Sequence, residues 1–170
     1  QDIGTDCSNN TSYIVASPDG NKVCRVDIQG HINLFDFDRC TGTLSNFVDM
    51  SEPYNGTTGA GSFYSCAFSP DSKVLYVTCY FQKQLYQFDL TAANIPLSKT
   101  VVWSIAAPPF NGFMGMQLAP DGKIYFVHTN TKLCAINNPN VLGAGCNPAT
   151  VSALTWPLVN FLIYFPNYNL

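Results

Sequence analysis

The sequence contains few charged residues. Asp, Glu, Lys and Arg make up 11% of the 170 residues, and Glu52 is the only glutamate. Soluble domains usually carry about 25% charged residues, so polar uncharged side chains must cover much of the surface. The eight Lys and Arg residues form no cluster, and the formal net charge is −3. Because nucleic-acid binding depends on grouped cations that neutralise phosphates, we expect no binding to DNA or RNA.

Long apolar runs and catalytic motifs are also missing. The longest apolar patch, 161–165, has the length of a strand, whereas a membrane span needs about 18 apolar residues. No nucleophile elbow, zinc-protease motif or phosphate-binding loop occurs. The two histidines, His31 and His128, lie in distant parts of the chain. We therefore expect no membrane span, no metal, no cofactor and no catalytic residue.

Cysteine, by contrast, is frequent. Seven residues of this type occur: Cys7, Cys24, Cys40, Cys66, Cys79, Cys134 and Cys146. This number favours an oxidising compartment, with disulfides and an extracellular or cell-surface location. The count is odd, so at least one thiol is free or pairs outside the chain. The spacing of Cys134 and Cys146 makes them one candidate pair. A first residue other than Met is expected after removal of a secretion signal, or in a fragment of a longer chain.

Three similar tripeptides divide the chain at intervals of roughly 50 residues, which is the length of a β-propeller blade repeat. They are Ser17-Pro18-Asp19, Ser69-Pro70-Asp71 and Ala119-Pro120-Asp121. Each lies between two runs rich in Val, Ile, Tyr and Phe, and Pro followed by Asp favours a tight turn. The sequence therefore predicts three antiparallel hairpins. We interpret the repeated aspartates as turn residues; the alternative is a ring of carboxylates that binds a cation.

Two further strands follow each hairpin. The third strands are predicted at 31–38, 84–89 and 132–137, and the fourth at 43–48, 99–103 and 151–156. Four antiparallel strands per repeat predict an all-β fold of about three four-stranded β-propeller blades. We predict one segment over 1–170, with blade-like repeats at approximately 11–61, 62–112 and 113–161. A β-sandwich is the alternative, but it has no reason to repeat its turn sequence.

A closed propeller has about four to eight blades, so three blades predict part of a larger propeller. The missing blades must come from the remainder of a longer chain, from copies of this chain or from another partner. An uncovered terminal blade would otherwise expose an apolar face and an unpaired sheet edge.

Several sequence segments within the repeats resemble those of one known group of proteins. They are the segments 37–45, 66–77, 117–125 and 165–168. These segments resemble the large secreted or cell-surface β-propeller proteins of Bacteroidetes, many of which use type IX secretion and are called gliding-motility-associated. The resemblance implies a propeller fold, export and a cell-surface location, and it implies no catalytic residues. A looser likeness links the strand pairs to lactonase-type propellers.

Aromatic residues in the loops that precede or join strands are the binding candidates, because exposed aromatic rings suit carbohydrate or protein recognition. Phe63 and Phe113 occupy the same position before their hairpins. The full set of candidates is Tyr54, Phe63, Tyr80, Phe81, Phe110 and Phe113. The alternative for Phe63 and Phe113 is that both pack between blades as core residues.

Together these patterns predict a non-catalytic secreted or cell-surface segment that mediates protein–protein or glycan interaction. Two alternatives stay open. One is a fragment of a lactonase-like or glycan-active propeller enzyme, in which Asp36 and Asp38 would be the acid–base pair. The same two residues also fit a solvated strand face. The other alternative is a structural subunit that assembles with copies of itself.

Overall fold

The computed structural model describes residues 3–4, 12–56, 61–106, 112–128 and 132–151. This part of the chain forms three four-stranded antiparallel sheets. Two short 3-10 helices, Pro96–Ser98 and Gly143–Cys146, interrupt the connections. Within these residues, no helix is long and apolar enough to cross a membrane. The predicted all-β architecture of four-stranded blades is confirmed.

In every sheet the strands are arranged in chain order, and each sheet lies within one predicted repeat. The first sheet comprises β1 (Ser12–Ala16), β2 (Lys22–Asp27), β3 (Ile32–Asp38) and β4 (Thr43–Asp49). The second comprises β5 (Phe63–Phe68), β6 (Val74–Cys79), β7 (Gln84–Asp89) and β8 (Thr100–Ser104). The third comprises β9 (Phe113–Leu118), β10 (Ile124–His128), β11 (Lys132–Ile136) and β12 (Pro148–Thr150).

The repeated tripeptides form the turns between the first two strands of each sheet. The hydroxyl of Ser17 donates to Oδ1 of Asp19 at 2.5 Å, and that of Ser69 donates to Oδ1 of Asp71 at 2.6 Å. In the third turn, Oδ1 of Asp121 accepts the backbone N–H two residues further on. Asp19 and Asp71 likewise accept the backbone N–H two residues further on, as aspartate commonly does in a tight turn. The three aspartates are therefore turn residues.

Two apolar cores separate the sheets, and β6 contributes to both. Leu75, Val77 and Cys79 face the first sheet, whereas Val74 and Tyr76 face the third. Successive residues of a strand point to opposite faces, so a strand with apolar residues at nearly every position fits between two layers. All six residues of β6 are buried. The second sheet is consequently packed on both faces, as an inner blade of a stack must be.

The last strand lies three residues earlier than the sequence predicted. We expected it at 151–156, but β12 comprises Pro148–Thr150, and residues 152–156 lie outside the described part. The Gly143–Cys146 helix, followed by Asn147 at a φ of 51°, turns the chain back towards β11. The Asn138 N–H then donates to the carbonyl of Cys146 at 3.0 Å. Pro148 is tolerated because an edge strand does not need every N–H.

The candidate disulfide between Cys134 and Cys146 is not formed in the structure. Both residues are buried free thiols, and no disulfide joins any of the six cysteines in the described residues. Cys134 points from β11 into the core between the second and third sheets, where burial raises the pKa of its thiol to about 11. Cys146 contacts the hydroxyl of Tyr76 instead. Cys7 lies outside the described residues.

Candidate functional site

An open pocket of about 490 Å³ lies where one end of the first sheet meets the same end of the second. The β2–β3 turn, the connection from β4 to β5 and the β6–β7 turn surround it. We call it the aromatic pocket, because four of its lining residues have aromatic rings. Its lining consists of Ile28, Gln29, Tyr54, Ser62, Tyr64, Tyr80 and Phe81.

Two glycines let the connection from β4 to β5 approach this pocket closely. A Cβ atom on Gly30 would lie 1.8 Å from the carbonyl oxygen of Glu52, and one on Gly61 would lie 2.2 Å from the same atom. Both glycines have positive φ values, 103° and 74°, which side chains disfavour. The Glu52 N–H donates to the carbonyl of Gly30 at 2.8 Å, and the Tyr54 N–H donates to that of Gln29 at 3.2 Å. These contacts position Tyr54 at the pocket.

The opposite wall is fixed by the backbone of the second sheet. The Tyr80 N–H donates to the carbonyl of Ser62 at 2.9 Å. The Phe81 N–H donates to the hydroxyl of the same serine at 3.0 Å. A Cβ atom on Gly112 would lie 1.9 Å from the carbonyl oxygen of Tyr80, so this wall is also packed closely from behind. Ser62 therefore fixes two successive aromatic residues of the β6–β7 turn.

The β2–β3 turn, which carries Gln29, is held by a buried carboxylate. Oδ1 of Asp27 accepts the N–H groups of Gln29 and His31 at 3.0 and 3.1 Å. The other oxygen of Asp27 forms an ion pair with Arg25 and a hydrogen bond with Nδ1 of His31, the latter at 2.8 Å. Asp27 and Arg25 are buried. A buried charge must be paired to be tolerated, so this cluster has a structural role that supports the pocket.

The aromatic rings form a continuous surface with different degrees of exposure. Tyr54 and Phe81 are 45% and 42% exposed, and their ring centroids are 6.2 Å apart with 39° between the planes. Tyr80 meets Phe81 edge-on at 5.0 Å and lies 5.9 Å from Tyr64. Single exposed apolar residues are common, but a concave cluster is typical of an interaction site.

The structure thus brings three of the six predicted binding residues to one place: Tyr54, Tyr80 and Phe81. Sequence analysis did not find Tyr64, Gln29 or Ser62. The only sequence signal for Tyr64 was its place next to an apolar strand residue, and simple alternation does not account for the register shift between Phe63 and Ser65. Whether these residues bind a ligand stays a prediction.

Phe63 and Phe113 are not exposed loop residues, and that part of the prediction is wrong. Both are fully buried. Phe63 packs in the core between the first and second sheets. Its ring meets that of Tyr86 edge-on, with 6.1 Å between the ring centroids. Phe113 packs between the second and third sheets, with 5.2 Å between its ring centroid and that of Phe126. The two phenylalanines are equivalent core residues, as the alternative interpretation held. Phe110 lies outside the described residues.

The carboxylates considered for acid–base chemistry have structural partners. Lys22 forms an ion pair with Asp36 at 2.6 Å, and this contact is the main reason why the pKa of Asp36 is lowered. Backbone N–H groups of the following turn, first that of Cys40, lower the pKa of Asp38. A general acid needs a raised pKa, so neither residue suits that role. Both lie towards the end of β3 opposite the aromatic pocket.

The two histidines do not converge. His31 is held by Asp27 beside the β2–β3 turn, whereas His128 is buried at the end of β10 in contact with Phe113. In the part of the chain that the structure describes, no group of three or more His, Cys, Asp or Glu residues has the arrangement of a metal site.

Comparisons with known proteins identify the fold. No protein-family model and no curated protein sequence matches the chain. Among solved structures, it is similar to dihydro-haem d1 dehydrogenase NirN in complex with DHE, with a TM-score of 0.56 and 16% sequence identity. The match covers 81% of this chain and 27% of that chain. It is also similar to the PQQ domain of pyranose dehydrogenase from Coprinopsis cinerea, with a TM-score of 0.52, 12% identity, and coverage of 68% and 32%.

A third similar structure is a Bacteroides fragilis protein assigned as a 6-phosphogluconolactonase. The TM-score is 0.53 at 16% identity, over 82% of this chain and 37% of that chain. The chain therefore spans roughly a third of the length of these solved structures. At such identities the likeness shows the fold alone, and the three sheets are β-propeller blades.

Proposed function

We propose that the chain is a non-catalytic recognition module that binds a neutral carbohydrate in the aromatic pocket. The observation that carries this proposal is the pair of exposed rings, Tyr54 and Phe81, which lie 6.2 Å apart above a concave surface. A sugar ring has an apolar C–H face that packs on an aromatic ring, and hydroxyl groups that need polar partners at its edge. The pocket offers both, since the exposed polar residue Gln29 lies beside the aromatic rings.

Size and charge support this class of ligand. A volume of about 490 Å³ lies within the range of about 300–1,000 Å³ that is usual for small-molecule sites. The lining residues are aliphatic, aromatic, amide or hydroxyl in character, and none carries a charge at neutral pH. A phosphorylated or acidic ligand would need compensating cations, so the pocket favours a neutral one.

Binding without catalysis is supported by the position of the carboxylates. Hydrolysis of a glycoside ordinarily uses two carboxyl groups that flank the scissile bond. The aromatic pocket has no such pair in its described lining. Asp36 pairs with Lys22 on β2, and Asp38 holds the turn after β3. Both lie towards the far end of β3, so they cannot reach a ligand that is stacked on Tyr54.

The test is a glycan array probed with the 170-residue chain, followed by calorimetric titration of the neutral oligosaccharide that binds best. We expect Tyr54→Ala and Phe81→Ala each to weaken binding at least about tenfold, because each removes one face of the stacking surface. The control is Phe47→Ala. This residue is also exposed and aromatic, but it stacks on Phe35 at the outer part of the first sheet, and its loss should leave affinity unchanged.

Two results would contradict the proposal. One is that no neutral glycan on the array binds the chain, whereas a protein or a charged glycan does. The other is equal affinity of the wild type and the Tyr54→Ala variant, with circular dichroism showing that both are folded. Hydrolysis of the bound oligosaccharide would contradict the non-catalytic part alone.

A further inference from the structure

Two buried thiols meet at the interface between the first and second sheets. Cys24 lies on β2 and Cys66 on β5, and both are fully buried in the core between these sheets. The Cys66 thiol donates to the carbonyl oxygen of Cys24, with 3.9 Å between Sγ and the oxygen. Burial, and to a smaller extent the neighbouring Cys24 thiol, raises the pKa of the Cys66 thiol. The contact joins residues of different sheets that are 42 positions apart.

The strand geometry directs these side chains towards each other. On β2, Cys24 and Val26 face the second sheet, and on β5, Cys66 and Phe68 face the first. A disulfide requires side chains that point towards one another and Cα atoms about 4.4–6.8 Å apart. Because Sγ of Cys66 reaches the backbone carbonyl of Cys24 itself, the two strands approach closely at this point.

The other described cysteines have different surroundings. Cys40 is exposed in the turn between β3 and β4. Cys79 contacts Ser62 and Gln82, and Cys134 and Cys146 belong to the second core. The contact between Cys24 and Cys66 therefore singles out one pair across the interface on which the aromatic pocket also lies.

We propose that Cys24 and Cys66 form an inter-sheet disulfide when the chain folds in the presence of a disulfide oxidant. With glutathione disulfide, one protein thiolate attacks a glutathione sulfur and releases one glutathione. The second protein thiolate then attacks the mixed disulfide at the protein sulfur and releases another glutathione. In sum, the protein thiols lose two protons and two electrons, and glutathione disulfide is reduced to two glutathione molecules.

The reaction belongs to folding rather than to the folded state. Both thiols are fully buried, and desolvation raises the pKa of Cys66 well above its ordinary value. Since the thiolate is the reactive species, the closed interface protects the reduced pair from external oxidants. Oxidation must therefore occur before the first two sheets close on each other, or during a transient opening.

The disulfide can be detected by peptide mapping of the 170-residue chain after refolding in a mixture of reduced and oxidised glutathione. Cleavage after Lys and Arg places Cys24 in the peptide 23–25, whereas Cys40 and Cys66 share the peptide 40–73. The experiment therefore uses the Cys40→Ser variant, so that each of these two peptides holds one cysteine. We expect peptide 23–25 joined to peptide 40–73 without reductant, and separate peptides after reduction.

A second readout is stability. Closing a loop of this length lowers the entropy of the unfolded chain, so oxidation should raise the equilibrium constant for folding by about two to three orders of magnitude. The increase would appear as a higher urea midpoint of the oxidised form. The Cys134→Ala control should keep both the joined peptides and the stability difference between oxidised and reduced protein, whereas Cys66→Ala should abolish both.

The proposal is overturned if Cys24 and Cys66 are both alkylated after oxidative refolding and denaturation. A joined peptide that contains a different cysteine in place of either residue would also overturn it. So would an oxidised chain that has the Cys24–Cys66 bond but lacks the circular dichroism spectrum of the reduced folded protein, since the bond would then not fit the native interface.

Discussion

Phe63 and Tyr64 are adjacent in the chain but have opposite surroundings, one in the core and one at the aromatic pocket. The sequence correctly predicted that Phe63 and Phe113 are equivalent, because both precede a hairpin at the same distance. It could not predict the face to which they point. The pairing of β5 with β6 shifts register between Phe63 and Ser65, and such a bulge re-aims side chains. Only the three-dimensional register distinguishes a core ring from a binding ring.

His128 has an unusual environment for a polar residue. Its side chain is 9% exposed and packs against Phe113, and neither ring nitrogen has a hydrogen-bond partner. Burial, with a smaller contribution from the charge of Lys132, lowers the pKa of the imidazole. The folded state therefore favours neutral histidine, whereas the unfolded chain protonates more readily.

This environment predicts acid sensitivity. The contribution of neutral His128 to stability is complete above the unfolded pKa of about 6.5 and is progressively lost as the pH falls below that value. The loss is at most about 1.4 kcal/mol per pH unit, the limit for uptake of one proton. The variant His128→Phe should show a shallower decrease in the free energy of unfolding between pH 7.5 and 5, measured by urea titration. Parallel curves for wild type and variant would contradict this assignment.

At the scale of the elements, the hairpins and third strands could be predicted because Pro-Asp turns and alternating Val, Ile and Tyr carry strong local signals. The final strand could not. The Gly-rich segment before it looked like a long loop, but its packing depends on a contact with another sheet. Gln87 on β7 accepts a hydrogen bond from the Gly143 N–H at 2.7 Å and donates to the carbonyl of Val141 at 2.9 Å. No local pattern encodes that distant partner.

The connection from β4 to β5 depends on glycine for a reason that can be tested. Gly30 combines a positive φ with a Cβ position 1.8 Å from the backbone oxygen of Glu52. Gly42 also has a positive φ, of 71°, but nothing lies within 4 Å of its Cβ position. Alanine substitutions at Gly42 and Gly30 therefore distinguish two losses of stability. One comes from the positive φ alone, and the other comes from the positive φ together with a steric clash.

We expect Gly42→Ala to reduce the free energy of unfolding by about 1 kcal/mol, which is the conformational cost alone. Gly30→Ala should cost about 1–3 kcal/mol more, because the backbone at Glu52 must move to relieve the overlap. Urea unfolding followed by circular dichroism measures both values. Equal losses in the two variants would show that the connection does not pack against Gly30 as described.

At the scale of the whole molecule, the aromatic pocket exists because two blades lie side by side. Tyr54 comes from the connection between the sheets, Gln29 from the first sheet, and Phe81 from the second. Their positions in the sequence gave no indication that the three would meet. The sequence predicted a set of loop aromatics, and the packing of the blades selected which of them share a surface.

Two expectations from the sequence extend beyond the described structure. The secreted or cell-surface location stays a prediction, which fractionation of the source cells would test. Completion of the propeller by further blades also stays a prediction, based on the small share of each similar propeller that the chain covers. The mass of the native protein and of its complex would distinguish a longer chain from an assembly of copies.

The most direct test of the recognition site is a titration of the ¹⁵N-labelled chain with the best neutral oligosaccharide, followed by NMR. Our account predicts shift changes at the amides of Gln29, Tyr54, Ser62 and Phe81. Amides of the third sheet that lie away from this pocket, such as those of Lys123 and Ala135, should not change. Shift changes centred on the third sheet, with none around the aromatic pocket, would contradict the account.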